Sequence, residues 1–211
     1  LAPESRLDLT SDASLRLTGK SLGAGVFSLG DLNRDGYDDF GISRAREDGG
    51  DAMGGMLIFF GKSDYKGGPV NSQPATEVAD VIIQQLSTAG FGGTSLISSL
   101  QATGGDLNDD GYSELIIGRT ESQRISTISD DPSPEQILSN SRRGEVFIFN
   151  AFSQIDVGEG KTLVISEADI NLKGEGVNDE FGTLPITPNM DIDGDRIDDL
   201  MIGAKLKDGI L

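Results

Sequence analysis

Residues 31–39 read Asp-Leu-Asn-Arg-Asp-Gly-Tyr-Asp-Asp, and the pattern recurs as Asp-Leu-Asn-Asp-Asp-Gly-Tyr-Ser-Glu at 106–114 and as Asp-Ile-Asp-Gly-Asp-Arg-Ile-Asp-Asp at 191–199. We call these stretches loop 1, loop 2 and loop 3. Each places oxygen-bearing side chains at positions 1, 3, 5 and 9 and runs directly into an apolar segment. Alternate side chains on a tight loop converge on one point, and calcium takes about six to eight oxygen ligands. The pattern therefore predicts up to three Ca²⁺ sites and a repeated architecture.

The three loops offer equivalent sets of predicted metal ligands, namely four side chains and the backbone carbonyl of position 7. The sets are Asp31, Asn33, Asp35, Asp39 and the Tyr37 carbonyl in loop 1; Asp106, Asn108, Asp110, Glu114 and the Tyr112 carbonyl in loop 2; and Asp191, Asp193, Asp195, Asp199 and the Ile197 carbonyl in loop 3. The alternative is that the loops are ordinary Asp- and Asn-rich turns without an ion. We favour a cation because several carboxylates within nine residues repel one another unless they are neutralised.

Loop 3 differs from the others at position 6, where it carries Arg196 and they carry Gly36 and Gly111. We expect position 6 to need a left-handed backbone, which glycine adopts freely and other residues adopt at a cost. Gly194 at position 4 is expected to relieve the turn in loop 3. Position 12 is isoleucine in every loop, whereas an EF-hand needs a bidentate glutamate there, so the EF-hand is excluded.

The composition restricts the function classes. The 211-residue chain carries 35 acidic and 17 basic residues, a formal net charge of −18, which argues against nucleic acid or an anionic membrane as partner. It contains no cysteine and no histidine, which excludes disulfides, thiolate zinc sites and the commonest general base. No apolar run approaches the roughly 20 residues that span a bilayer. The first residues show neither an initiator methionine nor a signal-peptide pattern, so we expect part of a longer protein.

The same order of predicted short strands surrounds each loop, while helical periodicity is weak throughout. The predicted strands are 23–29, 91–97 and 181–186 before the loops; 40–43, 115–118 and 200–204 after them; 55–60 and 144–149 third; 78–84 and 163–172 fourth; and a leading strand at 14–18. Residues 119–143 are polar and are expected to form an exposed insertion with a short helical turn at 134–138. Alternation along the strands predicts that most of the strand phenylalanines pack between sheets.

This pattern predicts an all-β fold in which residues 1–211 form a single β-propeller fragment. Four-stranded blades would contain loop 1 and loop 2, and a partial blade would contain loop 3. About three blades are too few for ordinary closure, so we expect either a partial propeller of a longer chain or one completed by self-association through exposed blade edges.

The chain resembles the FG-GAP repeat family, the blades of integrin α-subunit propellers and their bacterial relatives. The resemblance rests on Phe91-Gly92 and Phe181-Gly182 before the loops, on the loops themselves, and on the strands at 55–60, 144–149 and 200–204. It covers roughly residues 14–211. The chain departs from the family at 23–27, which lacks Phe-Gly, and it lacks the full Gly-Ala-Pro ending of the repeats.

The resemblance implies an extracellular or cell-surface module with structural calcium on one face and a protein or glycan ligand on the other. It assigns that second face to 44–54, 84–90, 119–143 and 173–179. The function expected is cell adhesion or ligand recognition, without catalysis. The alternative from another class is the propeller portion of a secreted hydrolase acting on polysaccharide or lipid, with Glu47, Asp48 and Asp51 as available acids. A purely architectural array is a third possibility.

Overall fold

The structure, a computed structural model, describes residues 15–20, 22–44, 55–63, 72–84, 96–122, 144–150, 161–175, 179–182 and 186–204. Over these residues the fold is mostly β-strand, with a four-residue α-helix and a three-residue 3₁₀ turn. The all-β prediction is confirmed at this level. Within the same ranges, no helix has the length and apolar character that a membrane crossing requires.

Thirteen strands are described along the chain. They are β1 (Arg16–Thr18), β2 (Leu22–Gly30), β3 (Asp39–Arg44), β4 (Gly55–Phe59), β5 (Ser72–Pro74), β6 (Val81–Gln84), β7 (Leu96–Gly105), β8 (Glu114–Ser122), β9 (Glu145–Phe149), β10 (Lys161–Val164), β11 (Ile170–Lys173), β12 (Ile186–Met190) and β13 (Asp199–Ile202). Helix α1 spans Ala75–Val78, and the 3₁₀ turn spans Ile165–Glu167.

Two sheets contain the four-stranded antiparallel unit that the sequence predicts. In the first sheet β2, β3, β4 and β6 pair in succession, and β10 adds to β6 in parallel. In the second sheet β7, β8, β9 and β11 pair in succession. The third sheet is the antiparallel pair β12–β13. Each acidic loop therefore joins the first two strands of a sheet.

The sheets stack so that both faces of the first two are covered. One large cluster joins Met56 and Ile58 of the first sheet to Leu115 and Ile117 of the second. On the other face of β4, Leu57 and Phe59 pack against α1 and β1 in a separate cluster. This double burial explains why β4 is buried at every position and why its sequence is continuously apolar instead of alternating.

A third cluster covers the far face of the second sheet, where Ile116 and Ile148 pack with Leu200 and Ile202 of the third sheet. The first strands of successive sheets also contact one another, β2 against β7 and β7 against β12. Phe59, Phe147 and Phe149 are buried, and Phe27 and Phe60 pack against the largest cluster. The prediction that most of the strand phenylalanines pack between sheets is therefore confirmed for four of these five, whereas Phe59 packs against α1 and β1.

Two short parallel strand pairs, β6–β10 and β1–β5, have the same arrangement. Strand β10, which precedes the fourth strand of the second sheet, pairs in parallel with β6, the fourth strand of the first. Strand β5, which precedes β6, pairs in parallel with β1 in the same way. The predicted leading strand is therefore present as β1. It pairs with β5 in the way that β6, a fourth strand, pairs with β10, so β1 takes the position of a fourth strand.

The strands predicted before loops 2 and 3 differ from the structure in their bounds. Strand β12 begins at Ile186, whereas Phe181 and Gly182 form a turn in which Gly182 has a left-handed φ of 75°. Strand β7 begins at Leu96 and continues to Gly105, beyond the predicted end, and residues 91–95 lie outside the described ranges. The Phe-Gly pair of 181–182 therefore marks the approach to a strand, because its glycine supplies a turn conformation.

The predicted fourth strands are also shorter than expected. Residues 163–172 divide between β10, the 3₁₀ turn and β11, and only β11 belongs to the second sheet as its fourth strand. In the first sheet, 78–84 begins with the end of α1, and the strand starts at Val81. The predicted insertion at 119–143 begins later, because β8 continues to Ser122. Residues 123–143, with the predicted helical turn at 134–138, lie outside the described ranges.

Close approach of the first two sheets predicts a strict requirement for glycine at position 104. A Cβ atom at Gly104 would overlap the backbone carbonyl oxygen of Leu29. We expect Gly104→Ala to lower the free energy of unfolding by about 3 kcal/mol or more, since the backbone must move to admit a methyl group. Urea denaturation monitored by circular dichroism measures this change.

Gly19→Ala is the matched control, because a Cβ there would meet only the Leu22 side chain at an ordinary 3.5 Å. Its effect should stay within about 0.5 kcal/mol. Equal stability of the two variants would contradict the close sheet packing.

Candidate metal centres

The aspartate at position 1 organises each acidic loop by accepting backbone N–H groups with both carboxylate oxygens. In loop 1, Asp31 Oδ1 accepts from Asp35 N at 3.0 Å and Oδ2 accepts from Gly36 N at 2.8 Å. Asp106 makes the equivalent bonds in loop 2, at 3.1 and 2.9 Å. In loop 3, Asp191 Oδ2 accepts from Arg196 N at 2.9 Å, and Oδ1 accepts from Gly194 N at 2.7 Å.

Positions 3 and 5 continue the same hydrogen-bond pattern. The side-chain oxygen of position 3 accepts the N–H of position 5 at 3.1, 2.9 and 3.1 Å in loops 1, 2 and 3. Oδ1 of position 5 accepts the N–H of position 7 at 2.9, 2.9 and 2.8 Å. These short-range bonds are the type that Asp and Asn form in turns. Their repetition shows that the three loops share one backbone course.

Position 9 ties each loop to the start of the following strand. Asp39 Oδ2 accepts from Leu32 N at 2.8 Å, and its Oδ1 accepts from Gly61 N at 2.8 Å, beyond the end of β4. Glu114 Oε2 accepts from Leu107 N at 2.6 Å. Asp199 Oδ2 accepts from Ile192 N at 2.6 Å.

The position-9 residues of loops 1 and 2, Asp39 and Glu114, are buried, each with a relative exposure of 1%. Burial raises the pKa of Asp39 to about 7, against the opposing effect of the Gly61 and Leu32 N–H groups and with a further rise from Asp35 and Asp31. Burial likewise raises the pKa of Glu114 to about 7, opposed by the Leu107 N–H. Without a cation, both carboxyl groups therefore hold a proton up to a higher pH than an ordinary carboxyl group does.

The backbone of all three loops is left-handed at positions 4 and 6. Position 4 has φ values of 59° at Arg34, 58° at Asp109 and 87° at Gly194. At position 6, Gly36 and Gly111 have φ values of 87° and 81°. Loop 3 reaches φ 76° there with an arginine, Arg196. The expectation for position 6 is confirmed, and loop 3 differs by placing its glycine at position 4, where the other two loops carry the strained residue.

The residues fit a hard cation by their chemistry. Carboxylate oxygens of Asp191, Asp193 and Asp195 lie within 4.8 Å of one another and are exposed. Loops 1 and 2 have the same internal hydrogen bonds but carry Asn33 and Asn108 at position 3, so each brings two carboxylates and one amide oxygen to the corresponding place. Oxygen-only donor sets of this kind suit Ca²⁺ or Mg²⁺ and not the softer metals. Ligation by individual atoms, including the carbonyls of position 7, stays a prediction.

Sequence reasoning missed a second repeated aspartate. Asp80 Oδ2 accepts from Phe60 N at 2.8 Å, and Asp169 Oδ2 accepts from Asn150 N at 2.8 Å. Each side chain thus links the residue just after the third strand of a sheet to the turn before the fourth. The available signal was the Ala-Asp pair that recurs at 79–80 and 168–169, ahead of an apolar residue.

The edge of the sheets opposite the loops is described only in part. Arg119 at this edge forms an ion pair with Glu145, lies over the Phe147 ring at 5.2 Å, and shares Glu145 with Lys173. Residues 45–54, 85–90, 123–143 and 176–178, which hold most of the predicted ligand face, lie outside the described ranges. The acids Glu47, Asp48 and Asp51 of the hydrolase alternative lie there too.

Comparison with known proteins finds that part of the chain is similar to integrin alpha-IIb. The chain is 31% identical to mouse integrin alpha-IIb over 126 residues, which is 58% of this chain and 11% of that protein. It is 32% identical to human integrin alpha-IIb over 123 residues, 56% of this chain and 10% of that protein. No protein-family model matches the chain. The matched region thus covers about a tenth of each integrin subunit and somewhat more than half of this chain.

The raised pKa values predict that the cation-free protein loses stability as the pH rises. Between about pH 4.5 and 7, the folded protein retains protons on Asp39 and Glu114 that the unfolded chain has released. Stability from these groups is therefore complete at low pH and falls through this window, by up to about 1.4 kcal/mol per pH unit for each group. Urea unfolding in chelator across this pH range measures the slope.

Glu114→Gln removes one of the two protons and should make the slope shallower by up to the contribution of one group. Glu175→Gln, at an exposed position, is the matched control and should keep the wild-type slope. An identical slope in wild type and Glu114→Gln would contradict the raised pKa.

Proposed function

We propose that the chain is a calcium-stabilised, extracellular β-propeller module that serves cell adhesion or recognition of a protein or glycan ligand. The observation that carries the proposal is the shared hydrogen-bond frame of the three acidic loops, each between the first two strands of a sheet. The similarity to integrin alpha-IIb supports the same assignment at a coarse level. We assign one Ca²⁺ to each loop.

The calcium would be structural. A cation that holds side chains from positions 1 to 9 of a loop fixes the connection between two strands, so its binding energy becomes folding energy. Position 9 extends the effect into the sheet, because Asp39 also accepts from Gly61 beyond the third strand. Binding needs ionised carboxylates, so a cation would displace the protons that Asp39 and Glu114 favour without it.

The stacking of the sheets supports a propeller arrangement. Successive sheets pack face to face, and their first strands contact one another, as they would around a central axis. At the third sheet, Ile192 of loop 3 is 62% exposed and Met201 of β13 is 51% exposed. Their equivalents Leu32 and Ile116 are fully buried against the following sheet. We propose that a further sheet, from a longer chain or a second copy, covers this face.

Recognition is favoured over catalysis. The chain lacks histidine and cysteine, and its relatives are integrin subunits. Nothing in the described ranges supports the hydrolase alternative. We place the ligand on the edge opposite the loops, and the net charge of −18 makes nucleic acid an unfavourable partner.

Calcium is predicted to raise the melting temperature selectively. At about 100 times its dissociation constant, one bound ion adds about 2.7 kcal/mol to the free energy of unfolding. We expect a large rise in millimolar calcium over chelator and a much smaller rise in magnesium, which prefers octahedral sites with retained water. Differential scanning calorimetry in the three conditions makes the comparison.

Two substitutions within loop 1 separate ligation from charge. Asp35→Asn changes a predicted ligand, whereas Asp38→Asn changes an exposed aspartate at position 8 that is not one. Asp35→Asn should lose part of the calcium-dependent rise, and Asp38→Asn should keep it. Equal behaviour of the two, or no calcium effect on the wild type, would refute the assignment.

Ligand recognition is tested on arrays of extracellular-matrix proteins and glycans, with calcium and with chelator. We expect saturable binding that needs calcium and proceeds without turnover of the ligand. Hydrolysis of an arrayed polysaccharide would instead identify an enzyme.

A further inference from the structure

Successive acidic loops are joined directly through their backbones. Ser113 N, at position 8 of loop 2, donates to the Asp31 carbonyl at position 1 of loop 1 over 3.2 Å. Asp198 N, at position 8 of loop 3, donates to the Asp106 carbonyl at position 1 of loop 2 over 3.3 Å. The residue that starts each predicted metal site is thus held by the next loop along the chain.

The junction between loops 1 and 2 is close-packed. A Cβ atom at Gly30, immediately before loop 1, would lie 2.6 Å from Ser113 Oγ. Gly104 is the second-last residue of β7, the strand that leads into loop 2, and it lies against the backbone of Leu29. A shift of either loop therefore moves the other, since well-packed contacts do not deform continuously.

One side chain also crosses this junction. Arg34 Nη1 donates to the Asp110 carbonyl over 3.3 Å, and the guanidinium carbon lies 5.1 Å from the centre of the Tyr112 ring. Arg34 stands at position 4 of loop 1 with a left-handed φ of 59°, so the conformation of loop 1 directs it toward loop 2. The contacted residues occupy positions 5 and 7 of loop 2.

We infer that loops 1 and 2 bind cations as a positively coupled pair and that Arg34 is the positioning residue that couples them. This inference rests on the proposed function, because it requires both loops to bind. A cation in loop 1 fixes the strained backbone at position 4, which holds the guanidinium against loop 2. Loop 2 is then already ordered when its own cation arrives, and a site that is already ordered loses less conformational entropy on binding.

The junction between loops 2 and 3 has no arginine at the position of Arg34. Loop 2 carries Asp109 at position 4, where loop 1 has Arg34, and Asp106 N instead donates to Asp198 Oδ2 over 3.1 Å. The coupling through arginine is therefore specific to loops 1 and 2.

Tyrosine-sensitised terbium luminescence on the full chain follows cation binding at loop 2. The chain has three tyrosines and no tryptophan, and Tyr37 and Tyr112 are position 7 of loops 1 and 2. In a Tyr37→Phe, Tyr65→Phe background, Tb³⁺ emission reports loop 2 through Tyr112. Both substitutions keep the backbone carbonyl. Ca²⁺ competition against Tb³⁺ then gives the affinity of loop 2 for calcium.

Four proteins complete the cycle: the background, Asp35→Asn, Arg34→Gln, and both together. With Arg34 present, weakening loop 1 by Asp35→Asn should weaken loop 2 about fivefold, the lower end of typical coupling between sites. With Arg34→Gln the same change should weaken loop 2 less than twofold. Arg16→Gln, an exposed charge change on β1, should leave the fivefold effect intact.

The outcomes separate the two proposals. A loop 2 affinity that ignores Asp35→Asn when Arg34 is present, or that rises, overturns the coupling while leaving calcium binding in place. An equal effect with and without Arg34 overturns the role of the arginine. Circular dichroism confirms that each variant is folded, and folded protein without Tb³⁺ emission or Ca²⁺ competition would refute the proposed function itself.

Discussion

The carboxyl groups of the acidic loops dominate the physical chemistry of this chain. Each loop gathers several of them where the first strand of a sheet passes into the second, and two of them, Asp39 and Glu114, are buried. Backbone N–H groups satisfy many of their oxygens, but N–H dipoles do not cancel the repulsion among the charges. A cation would relieve this repulsion, and burial in the cation-free protein raises the pKa of Asp39 and of Glu114 to about 7.

The remainder of the described fold depends on the same junctions. The loops set the spacing of the first two strands in each sheet, and those sheets stack through apolar runs such as 56–59 and 115–117. The loops also bond to one another through positions 1 and 8, so successive sheets are joined at the loops as well as through the core. In repeat proteins such contacts between neighbouring repeats contribute to stability.

Much of this organisation could be predicted from the sequence. Closely spaced acidic residues predict the loops. Continuous apolar runs predict the strands that follow them and the strands at 55–59 and 145–149. The strands before loops 2 and 3 were harder to predict, because β7 and β12 mix polar with apolar residues and β12 contains Pro188 within a register shift. The division of 161–173 between two sheets could not be predicted either, because the parallel pairing of β10 with β6 depends on the neighbouring repeat. The contacts of Arg34 across the junction depend on the stacking of sheets, which local sequence does not encode.

The calcium assignment requires each of the three loops to bind one ion. Isothermal titration calorimetry of calcium into chelator-treated protein counts the bound ions, for the wild type and for variants that carry Asp→Asn at position 5 of one loop at a time. We expect a stoichiometry of about three ions per chain, reduced by about one in each variant. No heat of binding, or a stoichiometry that these substitutions leave unchanged, would contradict it.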